Sequence, residues 1–479
     1  MKRSIIRMGC FFIVLLLVLG CWHNIFRFKS TFGIYDLTKF YELEDNTVDI
    51  LILGSSHSFD AFNTGVLWDE YGMSSFMLGG AEQPLWNTYY YLKEALKTQK
   101  PKLVVLEGYC TRFHYEYGYP EQYIFNNFGL KWSKDRIDSL KVSVKKEEWP
   151  DYFLEYVQYH SRYTNLDKSD FLPFQGDRPQ YEDWKGYELN TKRDYKDSTL
   201  DLASITERME LTPYKTEEYY RKVLELAKEN DVPIMVVIAP YADITETDQK
   251  KFNTASDIAS EYDVPFVNCN LIWQEIGMDY TVDTADGGHL NYLGSSKFSK
   301  YIGQYIADNY DIPDHRGDEK YISWQKSADY YREAIYDQDL SNSWDTGQVL
   351  SMIRSNENYT VFASTDGDCS SAEAYLTSCL YALGVPEDDK NGLWCIERGQ
   401  VIWQPQEDNG EIYISNGQHD FHLLRNQYED GSVYADVIID NEQMKKVDNG
   451  LNVVVYDRYT ENVVDCFGID ALNDCVLVR

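Results

Sequence analysis

Val48-Asp49-Ile50-Leu51-Ile52-Leu53-Gly54, followed by Ser55-Ser56-His57-Ser58, decides how this chain folds. The apolar run is too short for an ordinary helix, does not alternate, and closes on glycine and small polar residues. That is the signature of a parallel strand buried on both faces, with a turn at its carboxyl end. Outward from it the pattern repeats. Pro84 to Lys100 predicts a helix with Leu85, Thr88, Tyr89, Leu92 and Leu96 on one side, and Lys102 to Leu106 a second buried strand. Glu217 to Asn230 reads as a helix, Pro233 to Ala239 and Val264 to Val267 as strands, and Leu293 to Asn309 as a closing helix. Strands alternating with helices give an α/β fold, a parallel sheet with helices on both faces whose ligands sit at the carboxyl ends of the strands. Between Cys110 and Pro213 a long aromatic and charged insertion breaks the alternation, and it is expected to cover that carboxyl edge as a helical lid.

The flanks differ from this core. Lys2, Arg3 and Arg7 precede a run from Met8 to Trp22 that is wholly apolar or small, the pattern of an export signal or membrane anchor. An uncleaved signal anchor over residues 1–30 is expected, with the rest of the chain at the extracytoplasmic face of the cell membrane. Val18-Leu19-Gly20-Cys21 also approximates a lipoprotein cleavage and acylation site, so Cys21 is a second candidate for attachment. At the other end, the polar stretch Asp311 to Lys326 separates an α/β domain (31–315, insertion 110–213) from a small α+β, β-rich domain (316–479). In the latter, Ser370-Ser371-Ala372-Glu373 has the form of a capping box and Leu376, Cys379, Leu380 and Leu383 follow at helical spacing, so one main helix is expected. The remainder reads as strands: Gln400 to Trp403, Glu411 to Ser415, Val433 to Ile439, Leu451 to Tyr456 and Val463 to Phe467.

Composition narrows the function. With 78 acidic against 45 basic residues among 479, a net charge of −33 repels a phosphate backbone, so no nucleic-acid partner is expected. The 40 tyrosines and 11 tryptophans leave sugar binding open, because such rings line cores and also stack on sugars. Nine cysteines show no zinc-type spacing, and Cys369, Cys379, Cys395, Cys466 and Cys475 crowd the C-terminal part, where one or two disulfides would suit an oxidising compartment. Acidic runs such as Glu387-Asp388-Asp389 and Glu407-Asp408 read as solvated faces. No metal and no cofactor is expected.

The chemistry points to a serine. Ser56 lies at the carboxyl end of the first strand, where an α/β sheet presents a nucleophile, and it needs a base. Among only 8 histidines, His289 lies in the turn-rich segment Asp283-Thr284-Ala285-Asp286-Gly287-Gly288-His289-Leu290-Asn291 that leads into the last helix of the same domain. Asp286, three residues ahead, can fold back to orient the imidazole and stabilise its protonated form. His57 reads as a pocket-wall or packing residue, since as Ser56's immediate neighbour it is poorly placed to act as base.

Gly54-Ser55-Ser56-His57-Ser58 resembles the first block of the SGNH (GDSL-type) hydrolases, with Ser55 where many members have Asp. Asp286-Gly287-Gly288-His289 resembles their last block, Asp-x-x-His. The resemblance spans roughly Val48 to Asn309 and implies a flavodoxin-like α/β/α domain with Ser56 as nucleophile, His289 as base and Asp286 as its orienting carboxylate. Leu78-Gly79-Gly80-Ala81 looks like the glycine block, so the backbone N–H groups of Ser56 and of Gly79 or Gly80 would form the oxyanion hole. The Gly-x-Asn-Asp block is absent, and Leu106-Glu107-Gly108-Tyr109 stands at the corresponding strand end. Tyr159-His160-Ser161-Arg162-Tyr163 looks like a hallmark of membrane-anchored bacterial members. His57, Glu107, His160, Arg162 and Asn291 are therefore candidate pocket residues.

Asn358 to Ser364, the capped helix, Gly450 to Asp457 and Val463 to Asp470 look like the PANDER-like "GG" domain of the interleukin-like EMT inducer family, which implies a glycan-binding accessory module. Similarity to the extracytoplasmic D-alanylation protein of teichoic acids and to alginate acetylation proteins implies an esterase or O-acyl(acetyl)transferase. It would act on an acylated cell-surface polysaccharide, with a membrane-bound O-acyltransferase as partner in the transferase case. The opposing expectation is a non-catalytic glycan-binding surface scaffold whose serine loop is vestigial.

Overall fold

The strand that opens the α/β pattern, β1 (Ile50–Gly54), lies inside a five-stranded parallel sheet. The others are β2 (Ser75–Gly79), β3 (Leu103–Glu107), β4 (Ile234–Ile238) and β5 (Phe266–Asn268), in the order β2-β1-β3-β4-β5. This is the flavodoxin-like order, and its switch point lies between β1 and β3. The structure, a computed structural model, describes residues 2–119, 121–153, 155–173, 184–194, 200–406, 409–427 and 433–479. Glu407-Asp408 lies outside the described residues.

The unbroken apolar character of β1 has a simple cause. Leu51 and Leu53 pack into the core on one face, with Leu85, Leu92, Tyr220 and Ile258 of the helices Leu85–Ala95, Tyr214–Glu229 and Glu246–Glu261. Ile50 and Ile52 pack into the core on the other, with Leu67, Phe298 and Ile302 of the helices Thr64–Tyr71 and Tyr292–Asn309. Each face is therefore buried under helices, and every residue of β1 is inaccessible to water. The helix Glu246–Glu261 and the strand β2 were not foreseen, because the first has few apolar residues and the second is a five-residue run broken by serine and glycine.

The insertion is built mostly of short helices, among them Glu121–Phe125, Lys134–Ser143, Trp149–Phe153 and Glu155–Tyr159. Its later part meets β2 and the helix Ser56–Ala61: Met77 N–H donates to Lys185 C=O at 2.9 Å and Glu188 N–H to Phe59 C=O at 2.8 Å. Before the sheet stands a helix, Lys2–Phe26, of which Ile6–Phe26 is apolar enough to cross a membrane, with a mean hydropathy of 2.1; residues 6–21 are exposed, and Trp22 and Phe26 are partly covered by the insertion.

The chain divides into two compact units, Met1–Ala328 and Asp329–Arg479, and the division falls within the helix Ile322–Asn342. The second unit holds two antiparallel sheets. Six strands run β15-β14-β13-β6-β7-β8: β6 (Tyr359–Asp366), β7 (Leu393–Glu397), β8 (Gln400–Trp403), β13 (Gly450–Asp457), β14 (Asn462–Asp470) and β15 (Val476–Val478). Four run β12-β11-β10-β9: β9 (Gly410–Ser415), β10 (Asp420–Gln427), β11 (Val433–Ile439) and β12 (Glu442–Gln443). Val454 and Tyr456 of β13 face a core shared with Phe421, Leu423 and Val437 of the smaller sheet. Val453 and Val455 face the opposite core with Leu350, Leu376 and Leu380.

Three expectations for this unit are corrected. Helices Ile322–Asn342 and Thr346–Ser355 contribute beside Glu373–Leu383, so it has more than one main helix. The capping box at Ser370 does not form, because the Ser370 hydroxyl donates to Asp368 Oδ1 at 2.6 Å and Ala372 stands at the cap position. No disulfide forms: all nine cysteines are free, and Cys379 and Cys395 are buried as small apolar groups.

Candidate active site

β1 ends at Gly54, and Ser56 is the first residue of the short helix Ser56–Ala61. The turn is tied by Ser58, whose N–H and hydroxyl both donate to Ser55 C=O, at 3.0 and 2.6 Å. Gly54 is required there, because a Cβ would lie 2.6 Å from Ser58 Oγ. Ser56 is thus left partly accessible while Ser55, His57 and Ser58 are buried.

The loop before the helix Tyr292–Asn309 brings His289 to this serine from 233 residues away, with Nε2 at 2.9 Å from Ser56 Oγ. On the other side of the ring, Nδ1 lies 2.9 and 3.0 Å from the two carboxylate oxygens of Asp286. Asp286 is itself fixed, since Oδ1 accepts the backbone N–H of Gly288 at 2.8 Å and of His289 at 3.0 Å. The tautomer that satisfies all of these contacts carries its proton on Nδ1 and presents a lone pair to the serine hydroxyl. Burial would lower the His289 pKa, but the bond to Asp286 and the charges of Asp60 and Asp286 outweigh it and raise it above its ordinary value. Asp286 responds in the opposite sense: burial would raise it, yet the His289 ring and the two N–H groups bring it to about 2. The loop leaves no room for larger residues. A Cβ on Gly287 would lie 1.5 Å from Asp243 Oδ2, and Asp243 N–H donates to Gly287 C=O at 2.8 Å.

The two glycines proposed for oxyanion binding end β2. Gly79 pairs with Gly54, so closely that a Cβ would lie 2.3 Å from Gly54 C=O, and Gly80 follows. Asn126 of the insertion borders Gly80, where a Cβ would lie 2.3 Å from its Oδ1. The Asn126 amide donates to the carbonyls of Ala81 and Gln122, at 3.1 and 3.0 Å, so it is committed to holding this loop.

His57 and Glu107 lie under the site rather than on its wall. His57 Nδ1 is 3.0 Å from Glu107 Oε1, and the imidazole stacks on Tyr109 at 4.1 Å between ring centres. Glu107, fully buried, also accepts the backbone N–H of Tyr109 at 3.1 Å and of Ala239 at 3.3 Å. It therefore joins the ends of β3 and β4 to the helix that carries Ser56. Burial outweighs the Glu107 charge and lowers the His57 pKa below its ordinary value. Its Nε2, like Ser55 Oγ, has no hydrogen-bond partner among the described residues.

Three other candidate pocket residues are corrected. Asn291 caps the helix Tyr292–Asn309, accepting from Leu293 and Gly294 N–H and donating to the carbonyls of Val282 and Thr284, so it braces the histidine loop from inside. Arg162 donates to Asp170 Oδ1 at 2.9 Å and to Arg27 C=O, and His160 is exposed. Neither lines the cleft, because the insertion turns this segment toward the residues that follow the N-terminal helix.

The cleft above Ser56 and His289 has a volume of about 370 Å³. Its walls include Glu82, Tyr109, Arg112, Tyr115, Asp248 and Lys251, none of them foreseen as site residues. Arg112 donates to Asp248 Oδ1 at 2.8 Å and to the Tyr109 hydroxyl. Asp60 was missed as well: its Oδ2 is 3.9 Å from His289 Nε2, and Asn190 donates to its Oδ1 at 3.2 Å. Helical phase was the available signal, since Asp60 is one turn after Ser56.

In the second unit Glu333, Asp337 and Asp457 bring carboxylate oxygens within 4.8 Å of one another, the closest approach to a metal-ligand set among the described residues. The Thr460 hydroxyl is 3.1 Å from both Asp337 and Asp457, and a single hydroxyl proton serves only one of them.

No family model matches the chain, and no curated protein matches it. Among solved structures, a GDSL-like lipase of Bacteroides thetaiotaomicron VPI-5482 is 13% identical over 57% of this chain and 95% of its own, with a TM-score of 0.27. An acetyl xylan esterase is 12% identical over 54% and 99%, with a TM-score of 0.26. Likenesses this slight carry no argument, and the chemistry rests on the geometry of the site.

Proposed function

We propose that this chain is a membrane-anchored serine esterase or O-acyl(acetyl)transferase of the SGNH type, acting outside the cytoplasm on ester groups of a cell-surface glycan. The carrying observation is the continuous relay from Ser56 Oγ through both nitrogens of His289 to Asp286, at the mouth of a cleft. Ser56 attacks the acyl carbonyl while His289 Nε2 takes its proton, and Asp286 stabilises the imidazolium. The tetrahedral oxyanion is held by backbone N–H groups of Ser56 and of Gly79 or Gly80. Collapse breaks the ester bond, and His289 returns the proton to the departing sugar oxygen, leaving an acyl-serine. Water then attacks the acyl-serine in hydrolysis, or a sugar hydroxyl in transfer; either acceptor gives its proton to His289, which passes it to Ser56 Oγ as the acyl–serine bond breaks.

Aromatic and polar groups on the walls, Tyr109, Tyr115, Thr245 and Thr247 among them, support a sugar-bearing substrate. Residues 316–479 would serve as a glycan-binding accessory module, and a membrane-bound O-acyltransferase would supply the acyl group in the transferase case. Retention of the N-terminal helix is supported by its last turns: Trp22 and Phe26 stack at 4.8 Å and pack with Tyr159 and Phe128 of the insertion.

Labelling with a fluorophosphonate followed by mass mapping tests the reading. An adduct on Ser56, absent from Ser56→Ala and from His289→Ala, is the expected result. A protein that neither labels nor cleaves an acetylated sugar would refute it.

A further inference from the structure

The segment around Arg162 plays no part in the cleft, yet it is one of the most tightly bonded parts of the insertion. Asp170, buried, receives Lys29 Nζ at 3.1 Å and Arg162 at 2.9 Å, and its other oxygen accepts Asp167 N–H at 2.9 Å. Lys29 also donates to Ser169 C=O at 2.5 Å, and Arg162 to Arg27 C=O. Two cations and one carboxylate thus lock the residues just after Phe26 onto the insertion. One turn earlier, His23 packs edge-on against Tyr159 with ring centres 5.5 Å apart, and the Tyr159 hydroxyl donates to Glu155 Oε2 at 2.8 Å.

These contacts set the height of the insertion relative to the helix. Trp22 precedes Phe26 by four residues, about 6 Å along a helix, and its ring centre is 6.2 Å from that of Tyr159. If Ile6–Phe26 spans a bilayer, its last turn lies at the level where acyl chains give way to headgroups. The insertion residues that touch Trp22 must then lie at that level too. Beside the lock, and pointing to solvent, are Tyr163 (63% exposed), Phe171 (66%) and Leu172 (58%). Each is next to, or one residue beyond, a residue of the lock itself, so these apolar side chains are exposed close to the end of the helix. Aromatic rings at that depth are the usual interfacial anchors.

Resting on the anchor reading, we infer that Tyr163, Phe171 and Leu172 are immersed in the interface of the leaflet from which the helix emerges. The α/β domain is thereby seated on the membrane at two points, the helix and this patch, and its cleft is held at one height and one tilt.

The test uses the full chain with Cys10→Ser and Cys21→Ser in lipid nanodiscs, carrying an environment-sensitive fluorophore on one new cysteine. Reporters are Phe171→Cys and Leu172→Cys, with Val14→Cys within the helix and Tyr214→Cys, 76% exposed, as references. The labelled parent supplies the background from the remaining thiols. Expected are blue-shifted emission and at least threefold stronger quenching by nitroxide-bearing lipid at 171 and 172 than at 214. Emission at 171 and 172 as red and unquenched as at 214, with 14 quenched, overturns the seating while sparing the anchor. Absence of quenching at 14 overturns the anchor reading on which it rests. A blue shift at 171 without lipid quenching would mean that protein, such as a second copy, covers the patch, and would also overturn it.

Discussion

Asp60 places a second carboxylate 3.9 Å from His289 Nε2, the nitrogen that faces the serine, while Asp286 holds Nδ1. The ring is bracketed by negative charge, which favours the imidazolium formed as the proton leaves Ser56. The same charge raises the pH at which the resting base becomes neutral. Activity on a model ester should therefore rise with pH through a His289 pKa above the ordinary value of about 6.5. Asp60→Asn should move the acid limb of the kcat/KM profile to lower pH and lower the plateau several-fold. An unchanged limb, checked against the His289 resonance by NMR, would remove Asp60 from the mechanism.

Residues that act as one unit lose function together. Ser56→Ala and His289→Ala should each reduce turnover of an acetylated sugar by about a thousandfold or more, and the double variant should be little worse than either. Asp286→Asn should cost less than loss of the nucleophile. Ser55→Ala should be mild, since Ser55 Oγ makes no hydrogen bond among the described residues. Steady-state assays on the five variants decide the point.

Glu107 serves three donors, the buried His57 Nδ1 and Ala239 N–H and the partly buried N–H of Tyr109. Glu107→Ala leaves all three without an acceptor, and urea unfolding should register a loss of about 3 kcal/mol. Glu107→Gln retains a carbonyl acceptor and should lose clearly less.

Asp337 is a half-buried acid. Burial and the neighbouring Asp457 push its pKa up to about 7. A carboxyl whose folded pKa lies above its unfolded one adds stability below the unfolded value, near 4, and that contribution is lost as pH rises through about 7. The melting transition of the second unit should fall between pH 5 and pH 8. Asp337→Asn should flatten this dependence and raise Tm at pH 8 by about 2–5 °C; an unaltered slope on calorimetry would contradict it.

What was legible in the sequence follows from how each feature is encoded. β1, β3 and β4 are buried on both faces, so their apolar runs are unbroken and stand out, and the serine and histidine blocks follow from those strand and helix ends. β2 and the helix Glu246–Glu261 bury less apolar surface per residue and leave a weaker trace. Asp60 was legible only through helical phase from Ser56, whereas the meeting of Tyr109 and Arg112 with Asp248 joins separate elements in space, which spacing along the chain does not express. Arg162 was noticed for its motif but misplaced, because its partner Asp170 and the carbonyl of Arg27 are tertiary contacts.

The rail of insertion residues 184–188 that meets β2 at Met77 has a colloidal consequence. A parallel sheet ends in strands whose outer N–H and C=O groups are open templates for another chain. At β5 the template is only three residues long, but at β2 it is five, carrying Phe76, Met77 and Leu78. Lys185 C=O occupies Met77 N–H, and Thr64 Oγ1 pins the rail by donating to Trp184 C=O at 2.7 Å. Loosening that pin would therefore first appear as self-association during refolding, before any change in the chemistry of Ser56.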